Sequence, residues 1–333
     1  MDPTEARLPL ECRGPHRPGR TRPKERGPSP RGRIGRDRPI EACRWRLGGP
    51  VAGPAGSPTP RRPVDRGAPW STDAPSTDSQ SGPHLFLLSL IHPMEWIGRE
   101  IHLALLRDLL DGEIDVPAGT VVTSLLDANP DGTARVEAAL RSGQAAWTRG
   151  NARGVDLNRN FPRAFRTRPR WIDFWPMWRP GPGPASEPET RAVLKAAGEH
   201  PTLVLSLHSF GRWIFYPPAH ARTIDEVAES HQRIASRALA EASADGYRHR
   251  TLGRYARWFR AYGTEIDAFL PSHASPRSHA FLVELSWGGF GRWGLRRLLD
   301  PFFTFNPPDP ASEYTRVGPA LRRIIELGLR DAG

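Results

Sequence analysis

The chain is 333 residues long, which allows one large α/β domain or two smaller ones. Its hydrophobic fraction of 38% and charged fraction of 25% are close to those of globular proteins, so a packed core is expected. No stretch of about 18 apolar residues is present, which excludes a membrane-spanning helix. The basic N-terminus is not followed by an apolar segment, so no secretory signal is predicted. By default we expect a cytoplasmic monomer.

The net charge of +11 is compatible with nucleic-acid binding, but its source argues against that function. Lys24 and Lys195 are the only lysines, so nearly all of the positive charge is arginine, as a GC-rich coding bias produces. The arginines are scattered along the chain, and we expect no specific nucleic-acid partner. The two cysteines, Cys12 and Cys43, are too few for a thiolate zinc site, so any metal must be bound by histidine and carboxylate side chains.

The first eighty residues divide by composition. Residues 1–30 are rich in Arg, Pro and Gly without periodicity, which predicts a disordered tail. The stretch RPIEACRWRL (38–47) alternates enough to predict a short strand. Residues 48–82 return to Gly, Pro, Ser and Thr, which is typical of a long loop or linker.

From residue 84 onward, strand patterns alternate with helix patterns. Short apolar runs predict buried strands at 84–91, 121–128, 202–208 and 280–286. Amphipathic patterns predict helices at 96–112, 186–200, 226–245 and 319–333. The turn sequence NPDG (129–132) closes the second strand, and Ser186 with Glu189 forms a capping-box pattern for the second helix. The alternation predicts an α/β fold with a mixed, largely parallel central sheet flanked by helices.

Three residues at predicted strand ends indicate a metal site. His92 and Glu95 form an HxxE pair just after the first buried strand, and His208 ends the strand TLVLSLH. Ligands of open α/β sheets bind outside the carboxyl ends of the strands, so these side chains can meet there. HxxE alone is more often an ordinary helix start with a favourable Glu. Two His and one Glu together predict a catalytic zinc site with an open coordination position.

Glu284 lies inside the apolar strand AFLVELS (280–286). A carboxylate there is costly to bury unless it is paired, coordinated or catalytic. One interpretation is a structural ion pair with an arginine. The other is a general base with a raised pKa that takes a proton from metal-activated water.

The segment RGNARGVDLNRNFP (149–162) is dense in groups that bind anions. Arg149, Asn158 and Arg159 can hold a substrate carboxylate and an oxyanion, and the planar guanidinium suits a carboxylate especially well. The alternative is a polar loop of ordinary turn chemistry, to which Arg153 and Arg163 are assigned.

Together these stretches resemble the zinc carboxypeptidase family of the carboxypeptidase A type, peptidase family M14. The matching motifs, in the family's order over residues 84–290, are HPMEW, NPDG, RGNARGVDLNRNFP, SEPET, SLHSF with YP at 216–217, and FLVELS. GRIGRDRPIEA (32–42) is similar to an early segment of the family. The resemblance implies an α/β/α sandwich, one catalytic domain over residues 31–333, and an insertion at about 48–82.

The resemblance also implies roles for the residues that match the motifs. His92, Glu95 and His208 match the ligands of one zinc ion, and Glu284 matches the general base. Zinc-activated water would attack the last peptide bond, and Glu284 would pass the proton to the leaving amine.

Three further matches concern the substrate. Arg149 matches the arginine that stabilises the oxyanion of the tetrahedral intermediate. Asn158 and Arg159 match the pair that binds the terminal carboxylate of the substrate. The implied partner is therefore a peptide with a free C-terminal carboxylate.

Some residues depart from the family's pattern. Met94 stands where the family often has Arg, and Phe210 replaces an expected Tyr. At the place of the substrate-lid tyrosine the chain has Phe259, with Tyr255 and Tyr262 nearby as candidates.

The side-chain pocket is assigned by the same resemblance. Ile266 falls at the family's pocket floor, which predicts an apolar preference. A shift of one residue would place Glu265 or Asp267 there and favour a basic side chain instead.

Other functions remain open at this point. A related deacylase would act on N-acyl amino acids, and a peptidoglycan amidase would trim stem peptides; NPDG and SEPET favour the peptidase. A catalytically silent peptide-binding module is the alternative outside the enzymes.

Overall fold

The computed structural model describes residues 38–47, 82–166, 178–198, 200–244, 246–257, 259–270, 278–287 and 300–331. The predicted tail at 1–30 lies outside these residues, as does the predicted insertion at 48–82 except for its last residue. The described chain forms a mixed, mostly parallel seven-stranded sheet with flanking helices. The predicted fold class is confirmed.

The sheet has a parallel centre and antiparallel edges. Its strands are β1 Cys43–Arg46, β2 His84–Ser89, β3 Val121–Leu125, β4 Leu203–Ser209, β5 Trp213–Tyr216, β6 Arg248–Thr251 and β7 His279–Leu285. Their order across the sheet is β1-β3-β2-β4-β7-β5-β6. The four central strands β3, β2, β4 and β7 are parallel, so their carboxyl ends share one edge. Strand β1 is antiparallel to β3, and β5 is antiparallel to β7.

The described helices connect these strands. They are α1 Trp96–Asp111, α2 Pro130–Arg141, α3 Pro188–Ala197, α4 Glu226–Ala242, α5 Glu265–Ala268, α6 Phe302–Phe305 and α7 Pro310–Arg330, together with two short 3₁₀ turns at Leu157–Arg159 and Leu252–Arg254. No helix of the described residues is long and apolar enough to cross a membrane.

Three predicted boundaries were wrong. NPDG does not form a free turn, because Asn129 caps α2 by accepting a hydrogen bond from the N–H of Gly132. The N-cap of α3 is Glu187 and not Ser186, whose hydroxyl donates to the Glu187 carboxylate instead. The last helix begins at Pro310, nine residues before the predicted Pro319, because Asp309 caps it. In each case a side-chain hydrogen bond forms at the start of the helix, and the spacing of apolar residues does not predict such a bond.

Alternation along the central strands separates two cores. Leu205, Leu207 and their neighbours face α1, α4 and α7. The intervening residues, among them Val204, face the other side, where Leu157 and Ile266 cover them. Because His208 and Glu284 continue this second set, their side chains lie on the face covered by the 149–162 segment and by α5.

Gly98 allows α1 to approach β4 very closely. A Cβ atom at Gly98 would lie 2.7 Å from the carbonyl oxygen of Leu207, a distance that real side chains do not adopt. Glu95 precedes the first turn of α1, and His208 follows Leu207 on β4. The absence of a side chain at Gly98 therefore allows Glu95, at the start of α1, to contact His208 on β4.

Candidate metal centre

The three predicted ligands converge on one point at the carboxyl edge of the sheet. Nδ1 of His92 lies 3.0 Å from Oε1 of Glu95, and Nδ1 of His208 lies 3.0 Å from Oε2 of Glu95. The two Nδ1 atoms are 3.1 Å apart. All three side chains are buried. Among the described residues they form the one cluster of His, Cys, Asp or Glu with the geometry of a metal site.

The outer nitrogens of the two imidazoles show which atoms are available to a metal. Nε2 of His92 lies 3.0 Å from Oδ1 of Asp156, and Nε2 of His208 lies 2.9 Å from Oε1 of Glu265. When each Nε2 donates its proton to its carboxylate, the lone pair of each Nδ1 is left for a metal. The two Nδ1 atoms and the Glu95 carboxylate face one another across a space that a cation can occupy.

Zinc fits this arrangement. Tetrahedral ligands about 2.0–2.1 Å from one zinc ion lie about 3.3 Å from each other. The contacts among the two Nδ1 atoms and the Glu95 carboxylate, at 3.0–3.1 Å, are close to this separation. The set of two histidines and one glutamate is that of a catalytic zinc site, which leaves one position for water or substrate. Carboxylates on the outer nitrogens are the usual support for such ligands.

The electrostatics of the cluster also favour a cation. Burial raises the pKa of Glu95, but the charges and hydrogen bonds of His92 and His208 outweigh burial and hold that pKa far below its usual range. Burial lowers the pKa of His208, yet the Glu265 and Glu95 carboxylates raise it to about 10. The protein therefore surrounds the site with negative charge that a bound dication would neutralise.

Asp156 connects the metal ligands to the predicted oxyanion arginine. Its Oδ1 accepts from His92 and from the backbone N–H of Asn158, and its Oδ2 accepts from Nε of Arg149 at 3.1 Å. Burial raises the pKa of Asp156, but Arg149 and His92 lower it well below its usual range. Asp156 lies within the motif RGNARGVDLNRNFP, and the pattern of that motif assigns it no role. The signal was available, since a ligating histidine needs a partner for its second nitrogen.

Glu284 lies directly beside His208. The two residues are paired in register on β7 and β4, so their side chains project from the same face of the sheet. Burial and the Glu95 charge raise the pKa of Glu284 to about 7, and the charges of His208, His92 and Arg149 oppose them. Its Oε2 has no hydrogen-bond partner among the described residues. A half-buried carboxyl with an enclosed, unpaired Oε2 and a pKa near neutrality matches what a proton acceptor requires.

The 149–162 segment is held in place by buried amides. Asn151 donates to the carboxylates of Glu187 and Glu189, and Asn160 donates to the carbonyl oxygens of Pro180 and Gly183. The SEPET motif therefore anchors the anion-binding segment, because Glu187 and Glu189 belong to it. The anchored loop explains why these motifs occur together.

Asn158 and Arg159 lie within this anchored segment. The side-chain oxygen of Asn158 accepts from the backbone N–H of Glu265, so its NH₂ group is the end that can donate to a ligand. Nη1 of Arg159 donates to the Asn158 carbonyl, and its charge acts on Asp156 next to the metal ligands. Both residues are linked through Asp156 and Glu265 to the metal-binding histidines, and their binding of a substrate carboxylate stays a prediction.

Helix α5 directs three consecutive residues to three different places. Glu265 contacts His208, Ile266 packs in the core with Leu157, and Asp267 accepts from the backbone of Ala219 and the side chain of His220. The sequence predicts Glu265 only as an alternative pocket residue. Its position between the cap residue Thr264 and the core residue Ile266 does not indicate that it contacts a metal ligand.

The other predicted pocket residues lie on the segment that leads into α5. Phe259 packs partly buried against the second core and against the ring of Tyr255, 6.0 Å away. The ring of Tyr262 carries the guanidinium of Arg166 at 3.9 Å. Both are near the surface.

Met94 and Phe210 depart from the family's pattern, and the structure shows the surroundings of each. Met94 is fully buried in a third apolar cluster with Val136 and Ala146, where a charged side chain would be costly. The ring of Phe210 packs edge-to-face on Phe305, 5.1 Å away, and has no hydroxyl to offer a substrate.

Comparison with known proteins identifies the family. The family model for zinc carboxypeptidases, peptidase family M14, matches residues 55–308, more than half of the chain. The chain belongs to this family. Comparison with curated proteins finds no match.

Solved structures of carboxypeptidases share the fold. Carboxypeptidase A from Helicoverpa armigera is 22% identical with a TM-score of 0.56, covering 75% of this chain and 62% of that one. Thrombin-activatable fibrinolysis inhibitor is 18% identical with a TM-score of 0.55, covering 76% and 63%. The bovine form, solved with a tick carboxypeptidase inhibitor, is 19% identical with a TM-score of 0.55, covering 74% and 81%. The chain thus spans about three fifths of the first two structures.

Proposed function

We propose that this chain is a zinc-dependent metallocarboxypeptidase that hydrolyses the C-terminal peptide bond of peptides. The observation that carries the proposal is the convergence of two imidazole nitrogens and the Glu95 carboxylate, with contacts of 3.0–3.1 Å. Beside them, on the neighbouring strand, lies the Glu284 carboxyl, whose Oε2 is enclosed and has no hydrogen-bond partner among the described residues. Membership of the zinc carboxypeptidase family supports the same assignment.

The residues around the centre divide the chemistry among them. A zinc ion bound by His92, Glu95 and His208 would supply Lewis acidity toward a carbonyl and a water molecule. Glu284 accepts the proton of the attacking water and returns it to the leaving amine. Arg149, oriented by Asp156, carries the positive charge that stabilises the oxyanion of the scissile bond.

The position of Asn158 and Arg159 favours cleavage at the chain end over cleavage within a peptide. An amide NH₂ and a guanidinium beside the centre match a free carboxylate one residue beyond the scissile bond. A peptide that continues past this point would place no charge against Arg159.

Metal content and peptide cleavage test the proposal together. We expect about one zinc per purified chain, and loss of that zinc in His208→Ala but not in His200→Ala, a change at an exposed histidine. A chain that contains no zinc would contradict the proposed site.

A matched substrate panel separates the candidate functions. The panel contains peptides with free C-termini, the same peptides with amidated C-termini, N-acyl amino acids and peptidoglycan stem peptides. Release of the terminal residue from the free peptides alone supports the carboxypeptidase, and varying that residue measures its side-chain preference. Hydrolysis confined to acyl amino acids or stem peptides would replace it with the deacylase or amidase. A zinc-loaded protein that binds peptides and cleaves none of the panel would be the silent module.

A further inference from the structure

The two metal-binding histidines are supported in the same way by two different carboxylates. Asp156 holds the Nε2 atom of His92 at 3.0 Å, and Glu265 holds the Nε2 atom of His208 at 2.9 Å. All four side chains are buried, with Glu265 and Asp156 completely inaccessible to solvent. Asp156 lies in the 149–162 segment, whereas Glu265 lies on α5, in a distant part of the sequence.

The chain constrains Glu265 from both sides. The side chain of Thr264 caps α5, and the backbone N–H of Glu265 donates to Oδ1 of Asn158 at 3.1 Å. Gly263 has a positive φ of 63°, and a Cβ atom there would lie 2.3 Å from the carbonyl oxygen of Arg159. Only glycine permits this approach, so the loop packs closely against the 149–162 segment, and from there the side chain of Glu265 reaches His208.

These contacts distinguish two roles for Glu265. A residue that selects basic substrates must present its carboxylate to an open pocket. Glu265 has no solvent-accessible surface, and Oε1 is already engaged by a metal ligand. Its Oε2 has no hydrogen-bond partner among the described residues, so the contact of Oε1 with His208 is the one that holds this carboxylate.

We propose that Glu265 is a positioning residue that fixes the tautomer and orientation of His208, as Asp156 does for His92. The role rests on the metal site of the proposed function. With the proton held on Nε2, the Nδ1 lone pair of His208 points at the same place as that of His92. A carboxylate on the outer nitrogen also makes the imidazole a stronger ligand.

Charge balance gives the arrangement a second consequence. With Glu284 ionised as the proton acceptor, the site contains one dication and the guanidinium groups of Arg149 and Arg159. Their four positive charges are balanced by four carboxylates, those of Glu95, Asp156, Glu265 and Glu284. Removing Glu265 leaves the loaded site with one uncompensated positive charge in a buried environment. The effect on zinc is therefore larger than the loss of a single hydrogen bond.

Zinc affinity, measured by competition with a chromophoric chelator, tests the role directly. In Glu265→Ala we expect the dissociation constant for zinc to rise by about 10–100-fold, the range found when such supporting partners are removed. Glu265→Gln keeps an acceptor for Nε2–H and loses the charge, so it should fall between the parent and the alanine variant. Asp267→Asn is the control. Asp267 is a buried carboxylate on the same helix that contacts Ala219 and His220 and none of the metal-binding residues, so this variant should keep the parental zinc affinity.

A cobalt(II) spectrum supplies a readout that general destabilisation does not affect. If Glu265 orients His208, the d–d absorption of the cobalt-loaded Glu265→Gln protein should shift relative to the parent, while that of Asp267→Asn should not. Should Glu265→Ala fail to fold, Glu265→Gln still decides the question through this spectrum and through zinc affinity.

The outcomes separate this proposal from the proposed function. Zinc affinity within two-fold of the parent in both Glu265 variants would overturn the positioning role while leaving the enzyme intact. The same result with a selective loss of release of C-terminal Lys or Arg would assign Glu265 to substrate recognition instead. A parent that binds no zinc would refute the proposed function itself.

Discussion

The metal-binding half of the site and its substrate-binding half are built by different means. His208 and Glu284 lie on neighbouring strands of the sheet, and backbone pairing fixes their separation. Asn158 and Arg159 lie on a short 3₁₀ turn that is held by side-chain amides and by close contacts between loops. The first half inherits its geometry from the sheet, whereas the second must be assembled from individual hydrogen bonds.

This difference determines how each half should respond to change. A residue held by strand register can be replaced without moving its neighbours, so its chemistry can be tested in isolation. A residue held by a hydrogen-bonded turn contributes to the position of others. Substitutions in the two halves should therefore affect different kinetic constants.

The largest expected effect comes from Glu284→Gln. Removing the general base should lower kcat by about 10²-fold or more, while zinc content and melting temperature stay near the parental values. Turnover of the best peptide and metal analysis check this together. Glu326→Gln, a change near the end of α7, serves as the control. A rate within a few-fold of the parent would mean that another group accepts the proton.

Arg159→Gln should act on substrate binding. Loss of a charged hydrogen bond of about 1.5–3 kcal/mol corresponds to a roughly 10–150-fold fall in kcat/KM, carried mainly by KM. The loss should disappear with an amidated peptide, which has no carboxylate to bind. Arg163→Gln is the control, because Arg163 lies in the same segment and donates to the carbonyl of Leu270. Equal losses on free and amidated peptides would contradict the assigned role.

Gly98→Ala tests how the two ligand-bearing elements meet. The added methyl must push α1 from β4 next to His208, which should cost about 1–3 kcal/mol of stability and weaken zinc binding. Gly328→Ala is the matched control, because its Cβ would meet the Leu203 side chain at 3.0 Å, at the opposite end of β4. We expect that control to lose some stability and no zinc affinity, measured by denaturant unfolding and chelator competition. If both variants bind zinc equally well, the close approach is not what sets the site.

The smallest effect concerns the histidine that ties α1 to the sheet. His102 is buried between the hydroxyls of Ser89 and Ser124, and burial lowers its pKa to about 3. The unfolded chain takes up this proton below a pH of about 6.5 and the folded chain does not until about pH 3, so stability falls as the pH drops through that window. One such histidine contributes about 2 kcal/mol to this loss at pH 5.

Replacing His102 by Gln should therefore flatten the dependence of unfolding free energy on pH between about 4 and 6.5, as followed by urea unfolding. His200→Gln, at an exposed position, should leave the slope unchanged. An unchanged slope in the His102 variant would show that other buried histidines dominate the acid response.

The sequence predicted the fold class and the metal-binding half because both depend on strong patterns. Four apolar runs located the central strands, and His92, His208 and Glu284 followed from their places at strand ends. The short edge strand RHRT (248–251) has no apolar pattern, and it forms because β5 offers it a free edge. Strand β5 itself is only four residues long.

Helix α2 and the role of Glu265 required knowledge of distant contacts. Asn129 both caps α2 and donates to the carbonyl of Ile91, next to His92, so a turn sequence became a helix start that supports the site. Glu265 lies 57 residues after the histidine that it contacts. Local periodicity carries no information about such pairs.

Asp156 has a consequence for the thermodynamics of the whole site. One carboxylate receives hydrogen bonds from a metal ligand, from Arg149 and from the backbone of Asn158. Any ligand that orders one of these three groups also orders the other two. Zinc and a C-terminal carboxylate should therefore favour each other's binding by the same factor, so that an inhibitor bearing that carboxylate would slow the loss of zinc to a chelator.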